Sequence, residues 1–173
     1  MKLIGVADTT FARVDMGKAA IAELQNTGTG FRVERVTVPG IKDLPRAALD
    51  LFQRGCDLVI ALGSPGPLPV DKTSAQVASG ALVQVQLQTG KPLLEVFVHA
   101  DEAKDDRELI WLCESRAKAH ARNAYEMLFF PERLTRRAGQ GVRQGFSSEG
   151  PARGAARAGH RPSAGTRSSG KSR

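Results

Sequence analysis

The sequence contains no apolar stretch approaching the roughly 18 to 20 residues that a membrane-spanning helix requires, which excludes a helical bilayer span. Its opening residues, Met1-Lys2-Leu3-Ile4-Gly5-Val6-Ala7, meet an acidic group at Asp8 before a secretory h-region can form, so a cytoplasmic location is expected. There are only two cysteines, Cys56 and Cys113, far apart and without CxxC spacing or histidines at metal-ligand intervals. Neither a disulfide framework nor a zinc site is expected, and both are read as packed thiols. The GxxxxGK[ST] phosphate loop is missing, and Gly63 with Gly66 is too sparse for a dinucleotide fingerprint, which disfavours nucleotide binding.

Acidic residues are also missing from Pro151 onward, where Gly, Ala, Ser, Pro and Arg dominate and no aromatic or large aliphatic side chain is available to join a core. Residues 151–173 are read as a disordered basic tail, with weak electrostatic contact to RNA or anionic surfaces as the minor alternative. The tail carries six of the 25 basic residues, so 19 face 18 acidic ones in the remainder, and the net charge of +7 is no sign of a nucleic-acid surface on the fold.

What is present in residues 1–150 is one domain's worth of alternating strand-like and helix-like segments, the pattern of βαβ units around a four-stranded parallel sheet. Leu3 to Ala7, Phe31 to Val38, Leu58 to Leu62 and Leu93 to Val98 read as strands. The continuous apolar run Leu58-Val59-Ile60-Ala61-Leu62 marks the sheet centre, covered on both faces. Asp15 to Gln25, Asp43 to Arg54, Asp71 to Gln88 and Asp101 to Phe130 read as helices, with Asp43 as the N-cap of the second and a further helical patch near Leu134 to Ala138. The expected fold is a three-layer α/β/α, flavodoxin-like domain.

In such a sheet the ligand crevice lies beyond the carboxyl ends of the strands. The residues there are Asp8 to Arg13, Pro39 to Asp43, Gly63 to Gly66 and His99 to Asp101. Phe11, in a polar loop, is either a core plug or a face for a flat heterocycle. Pro39-Gly40 leads into a helix start whose free N–H groups suit ligand carbonyls or hydroxyls, and Asp43 either caps that helix or accepts from a polyol. Glu95 interrupts an apolar strand and needs a partner, a ligand, a neighbouring subunit or a wet edge. His99 ends that strand as a proton shuttle or a structural hydrogen-bonding group. His120 lies among charged residues and is expected to face solvent, and the run Asp101 to Asp106 is an acidic helix start.

Several strings together resemble archaeal-type riboflavin synthase, a relative of lumazine synthase. They are Asp8-Thr9-Thr10-Phe11-Ala12-Arg13-Val14-Asp15-Met16, Val38 to Pro45, Ala61-Leu62-Gly63, Asp71-Lys72, Glu95 to His99, Asp101 to Asp106, Leu134-Thr135-Arg136 and Gly141-Val142-Arg143-Gln144-Gly145. The resemblance implies a lumazine synthase-like fold and a homopentamer with sites between subunits. It implies a dismutation of two 6,7-dimethyl-8-ribityllumazine molecules by four-carbon transfer, without an organic cofactor. Magnesium dependence is associated with the family, with no firm ligands here.

By resemblance, Thr10, Phe11, Ala12 and Arg13 cover the ring, Pro39, Gly40, Ile41, Lys42 and Asp43 hold the ribityl chain, and Gly63, Ser64 and Pro65 face the pyrimidine edge. Glu95, with Phe97 nearby, reaches the neighbour's ligand. His99, Asp71 and Lys72 are the candidates for proton transfer or polarisation. Two departures stand out: Ser74-Ala75-Gln76-Val77 occupies the place where a His-Glu pair after Cys-Ala is usual, and Ser64 to Pro69 is rich in proline. Lumazine synthase is the first alternative, though the Arg-Gly-x-Thr-x-His string of its phosphate site is missing from Gly63 to Lys72. A non-catalytic flavodoxin-like binding or receiver module is the second, disfavoured because no aspartate follows Ala61-Leu62-Gly63 at once.

Overall fold

The computed structural model describes residues 1–143 and 148–152. Gln144 and Gly145 of the family-like strings, and the basic tail from residue 153, lie outside the described residues.

Four strands, β1 (Lys2–Thr9), β2 (Phe31–Val38), β3 (Leu58–Gly63) and β4 (Leu93–Phe97), form one sheet in the order β2-β1-β3-β4, with every pairing parallel. β3 is buried at all six positions, as its unbroken apolar run requires of a strand covered on both faces. Alternation along each strand sends side chains to two separate cores. Ile4, Val6, Leu58, Ile60 and Leu62 pack beneath α1 (Met16–Thr27) and α4 (Asp106–Phe129). Ala7, Val59, Ala61 and Leu93 pack beneath α2 (Leu44–Gln53) and α3 (Pro69–Thr89). A short α5 (Pro131–Arg136) follows. The three-layer α/β/α expectation holds, with the two centremost strands both buried.

The helix starts are set by local chemistry. Asp15 caps α1 by accepting from the Lys18 N–H at 2.9 Å, and Asp105 caps α4 by accepting from the Glu108 N–H at 2.8 Å. α4 therefore begins five residues later than the acidic run suggests, because Ala100–Glu102 forms a separate 3-10 turn. Asp43 stands at the N-cap of α2 as expected, with Pro45 in the first turn, but its side chain makes no capping bond to that helix. It also ends a 3-10 turn over Ile41–Asp43, and its carboxylate accepts from the Gly40 N–H at 2.9 Å.

Four of the nine aromatic side chains, Phe31, Tyr125, Phe129 and Phe130, gather at the amino end of β2, with Tyr125 stacked on Phe129 at 4.6 Å between centroids. They fasten the end of α4 to the sheet. Phe11, just after β1, and Phe97, the last residue of β4, lie at the opposite, carboxyl edge.

Candidate active site

Because all strands run the same way, their carboxyl ends share one edge of the sheet. The connection leaves β1 toward β2 and returns across it to β3, so the switch point lies between β1 and β3. A crevice of about 230 Å³ opens there, lined by Thr9 and Phe11 from the end of β1, Gly40 to Asp43 after β2, Ser64 and Pro65 after β3, and Asp71 and Ser74 from α3. Phe11 is 57% exposed, which rejects the core-plug reading. Its backbone is held in place, since Thr10 N–H donates to Val38 O at 2.9 Å and Phe11 N–H to Pro39 O at 3.2 Å. Beyond the ring, a hollow of about 580 Å³ continues past Arg13, Gly66, Pro67 and Leu68. Phe11 thus lines both hollows.

Asp71 lines this crevice but is committed locally. Its carboxylate accepts from the Leu68 N–H at 3.1 Å, and a Cβ on Gly66 would lie 2.3 Å from Asp71 Oδ2, so the loop approaches the carboxylate through a residue without a side chain. The arrangement fixes the loop that carries Ser64 and Pro65.

A second, wider cavity of about 790 Å³ flanks β4, the strand at the sheet edge. It collects Lys72, Glu95, Phe97 and His99, together with Gln76, Ser79, Asp101, Glu102, Arg116 and His120. The three candidates for proton transfer are therefore divided. Lys72 and His99 share this cavity, whereas Asp71, one residue before Lys72, faces the Phe11 crevice. Gln76, at the position of the unusual Ser-Ala-Gln-Val string, lies in the same wall as Lys72 and brings an amide there.

The electrostatics of the wider cavity follow from partial burial. Burial raises the Glu95 carboxyl above its ordinary range, although the Ser79 hydroxyl donates to it at 2.8 Å and acts the other way. The edge-strand and buried-partner readings of Glu95 thus hold together. Lys72 pairs with Asp101, and the ammonium's hydrogen bond lowers the Asp101 carboxyl. Glu102 resists burial because Arg116, itself only 5% exposed, donates to it from both terminal nitrogens while the His99 N–H donates at 2.8 Å. The acidic run is thus largely engaged.

His120 corrects the solvent-facing expectation. It is partly buried, and burial first, then the Arg116 charge, lowers its pKa to about 4. The Nδ1 atoms of His99 and His120 are both buried without a hydrogen-bond partner among the described residues.

The remaining predicted residues sit around the crevice. Thr10, Ala12 and Arg13 line a hollow on the far side of their loop, and Arg13 also pairs with Asp106 at 2.7 Å. Pro39 contributes its carbonyl to the loop, and Gly63 is buried at the end of β3. The sequence reading names Thr9 and Ser74 only within longer strings and misses Ser79 and Arg116. For Arg116 a signal exists: it falls on the helical stripe of Leu109, Leu112, Cys113, Ala117, Ala121 and Ala124.

A crevice at the switch point of an α/β sheet, headed by an exposed aromatic ring and lined by the loops that follow three strands, defines a small-molecule site of an α/β enzyme. The sequence model of the 6,7-dimethyl-8-ribityllumazine synthase family matches residues 3–132, and the chain belongs to that family. It is 53% identical over 149 residues to the riboflavin synthase of Methanothermobacter marburgensis, a match covering 86% of this chain and 97% of that one. It is 49% identical over 149 residues to the riboflavin synthase of Archaeoglobus fulgidus, with the same coverage of both chains. To that of Aeropyrum pernix it is 47% identical over 151 residues, covering 87% of this chain and 97% of the relative. No helix among the described residues is long and apolar enough to cross a membrane.

Proposed function

We propose that this chain is a riboflavin synthase, a transferase that converts two molecules of 6,7-dimethyl-8-ribityllumazine into riboflavin and 5-amino-6-ribitylaminopyrimidinedione. The observation that carries the reading is the 53% identity to a riboflavin synthase across 97% of that enzyme's length, joined to a crevice lined mostly by residues of the family-like strings. One lumazine gives up a four-carbon unit and leaves as the pyrimidine, while the other accepts it and becomes the tricyclic flavin. No external oxidant or reductant is consumed.

In this reading Phe11 stacks on a ring, the Gly40 to Asp43 turn takes the ribityl hydroxyls, and Ser64 and Pro65 meet the pyrimidine edge. Holding two rings in register converts an encounter of two reactants into a step within one complex, so positioning supplies most of the rate. His99 is the residue we assign to proton movement at the acidic 7-methyl group, because it lines the cavity beside Glu95 while Lys72 is tied to Asp101.

A pentamer with sites between subunits is part of the proposal. It is supported by the unpaired edge of β4 beside the wide cavity and by Val70, Val77, Val83 and Leu87, each more than half exposed on α3. A cytoplasmic location is proposed with it. Among the described residues no three His, Cys, Asp or Glu side chains converge on a metal position. The residues therefore offer magnesium no dedicated cage, and no step is routed through it.

Incubating the purified protein with 6,7-dimethyl-8-ribityllumazine alone tests the reading. Riboflavin and the pyrimidine in equal amounts are expected. Absence of riboflavin, with lumazine formed instead from the pyrimidine and a four-carbon phosphate, would move the chain to the lumazine synthase activity.

A further inference from the structure

The loop that presents Phe11 is bounded by two carboxylates, Asp8 near the end of β1 and Asp15 at the cap of α1. Both are held by one group from another strand. Arg35 of β2 donates from its Nη2 atom to Asp8 and, at 2.7 Å, to Asp15 Oδ1. Thr37, paired with Asp8 in the sheet register and two residues from Arg35 on the same face, donates its hydroxyl to Asp8 Oδ1 at 2.6 Å.

The Asp8 side chain is 6% exposed and that of Arg35 33%, so this is a largely desolvated contact. α1 closes directly over it: a Cβ on Gly17 would lie 2.1 Å from Asp8 Oδ2 and 2.8 Å from Arg35 Nε. Burial opposes the charge on Asp15, yet the hydrogen bonds from Lys18 and Arg35 prevail and its carboxyl is lowered.

We propose that Arg35 is a positioning residue for the Phe11 loop: one guanidinium nitrogen ties the loop's entry to its exit and so sets where the ring stands. The inference rests on the reading of Phe11 as the substrate's stacking surface. Without Arg35, the buried Asp8 carboxylate keeps only the Thr37 hydroxyl, and an uncompensated buried charge is costly enough to turn toward water. That movement carries the end of β1 with it, while Asp15 is released at the other end of the loop. A lysine retains a charge between the two aspartates but not the guanidinium fork, so it should restore the function in part.

The test is a double-mutant cycle between Arg35 and Phe11, read as kcat and KM for 6,7-dimethyl-8-ribityllumazine, with hydrogen exchange of amides 10–15 measured in parallel. Arg35→Gln should raise KM about tenfold with a smaller change in kcat, and Arg35→Lys should recover most of that loss. In a Phe11→Ala background the same Arg35→Gln change should raise KM less than about twofold, because the ring it positions is gone. Exchange across residues 10–15 should accelerate whether or not the enzyme turns over.

An equal KM effect in both backgrounds, no KM effect at all, or unchanged exchange overturns the proposal. Should Arg35→Gln fail to fold, Asp15→Asn replaces it, since asparagine keeps the α1 cap but loses the charge pairing. The same non-additive pattern with a smaller rise in KM is expected, and additivity again overturns it. Wild-type turnover of the lumazine is a separate result, so failure of the functional reading is distinguishable from failure of this one.

Discussion

The Phe11 crevice and the cavity along β4 lie on the same edge of the sheet and are built in opposite ways. Around the crevice the carboxylates are used up inside the chain: Asp43 holds Gly40, Asp71 holds Leu68, and Asp8 is held by Arg35 and Thr37. What remains for a ligand is an exposed ring and a fixed backbone. Along β4 the balance differs, with a half-buried glutamate, two imidazole Nδ1 atoms without partners and an unpaired strand edge. A region whose carboxylates are held within the chain can bind by shape before anything arrives. A region with a half-buried carboxylate and an open strand edge has contacts left to be made from outside, by substrate or by a second copy of the chain. On the proposed function, recognition falls to the first region and proton chemistry to the second.

The sharpest way to break that division is His99→Ala. If the β4 cavity supplies the proton transfer, kcat should fall on the order of 100-fold with KM little changed, as measured by steady-state riboflavin formation. A loss under about threefold would make His99 structural and shift the chemistry back to the crevice.

Next in size is an acid effect confined to the β4 side. The folded His120 titrates at about 4 against an ordinary value of 6.5, so the unfolded chain takes up the proton first. Stability should begin to fall as pH drops through about 6.5 and stop falling from this cause below about 4. The loss is on the order of 2 kcal/mol once partial exposure is allowed for. Urea unfolding of wild type and His120→Gln across that range measures it, and equal slopes for the two proteins would remove the contribution.

Phe11→Ala sharpens the other half of the comparison. It should raise KM for the lumazine about tenfold, equivalent to roughly 1.4 kcal/mol of stacking, and leave the melting temperature within a degree or two because the ring is outside the core. Smallest of all, truncation after Gly150 should leave kcat and KM within about twofold, since the tail reads as outside both regions.

The layers of the fold were legible because apolar runs and helical stripes are dictated by the same burial that forms them. Leu58 to Leu62 could be nothing but a covered strand once helices flanked it on both sides in the sequence. The strand-end loops were equally legible as the place where a crevice opens. The exact partners were not. Asp43 does stand at the start of α2, but its carboxylate turns back to Gly40, and the acidic run after His99 first forms a short turn that delays α4 to Asp106. His120 was misjudged from its charged neighbours in sequence, when its neighbour in space is Arg116, one turn earlier on a partly buried face. Which of two consecutive residues faces which cavity, as with Asp71 and Lys72, depends on how α3 is rotated about its axis, and spacing alone does not set that angle.

That rotation has a practical consequence for how the protein can vary. Asp71 and Lys72 sit back to back in the first turn of α3, delivering an anion to one compartment and a cation to the other. A single residue inserted ahead of them within that turn would swing the pair by about 100°, misdirecting both charges at once while leaving composition, hydropathy and helix length almost untouched. Length changes should therefore be tolerated in the outer loop near Pro67 and forbidden from Pro69 onward, making the start of this helix a phase marker for the whole site.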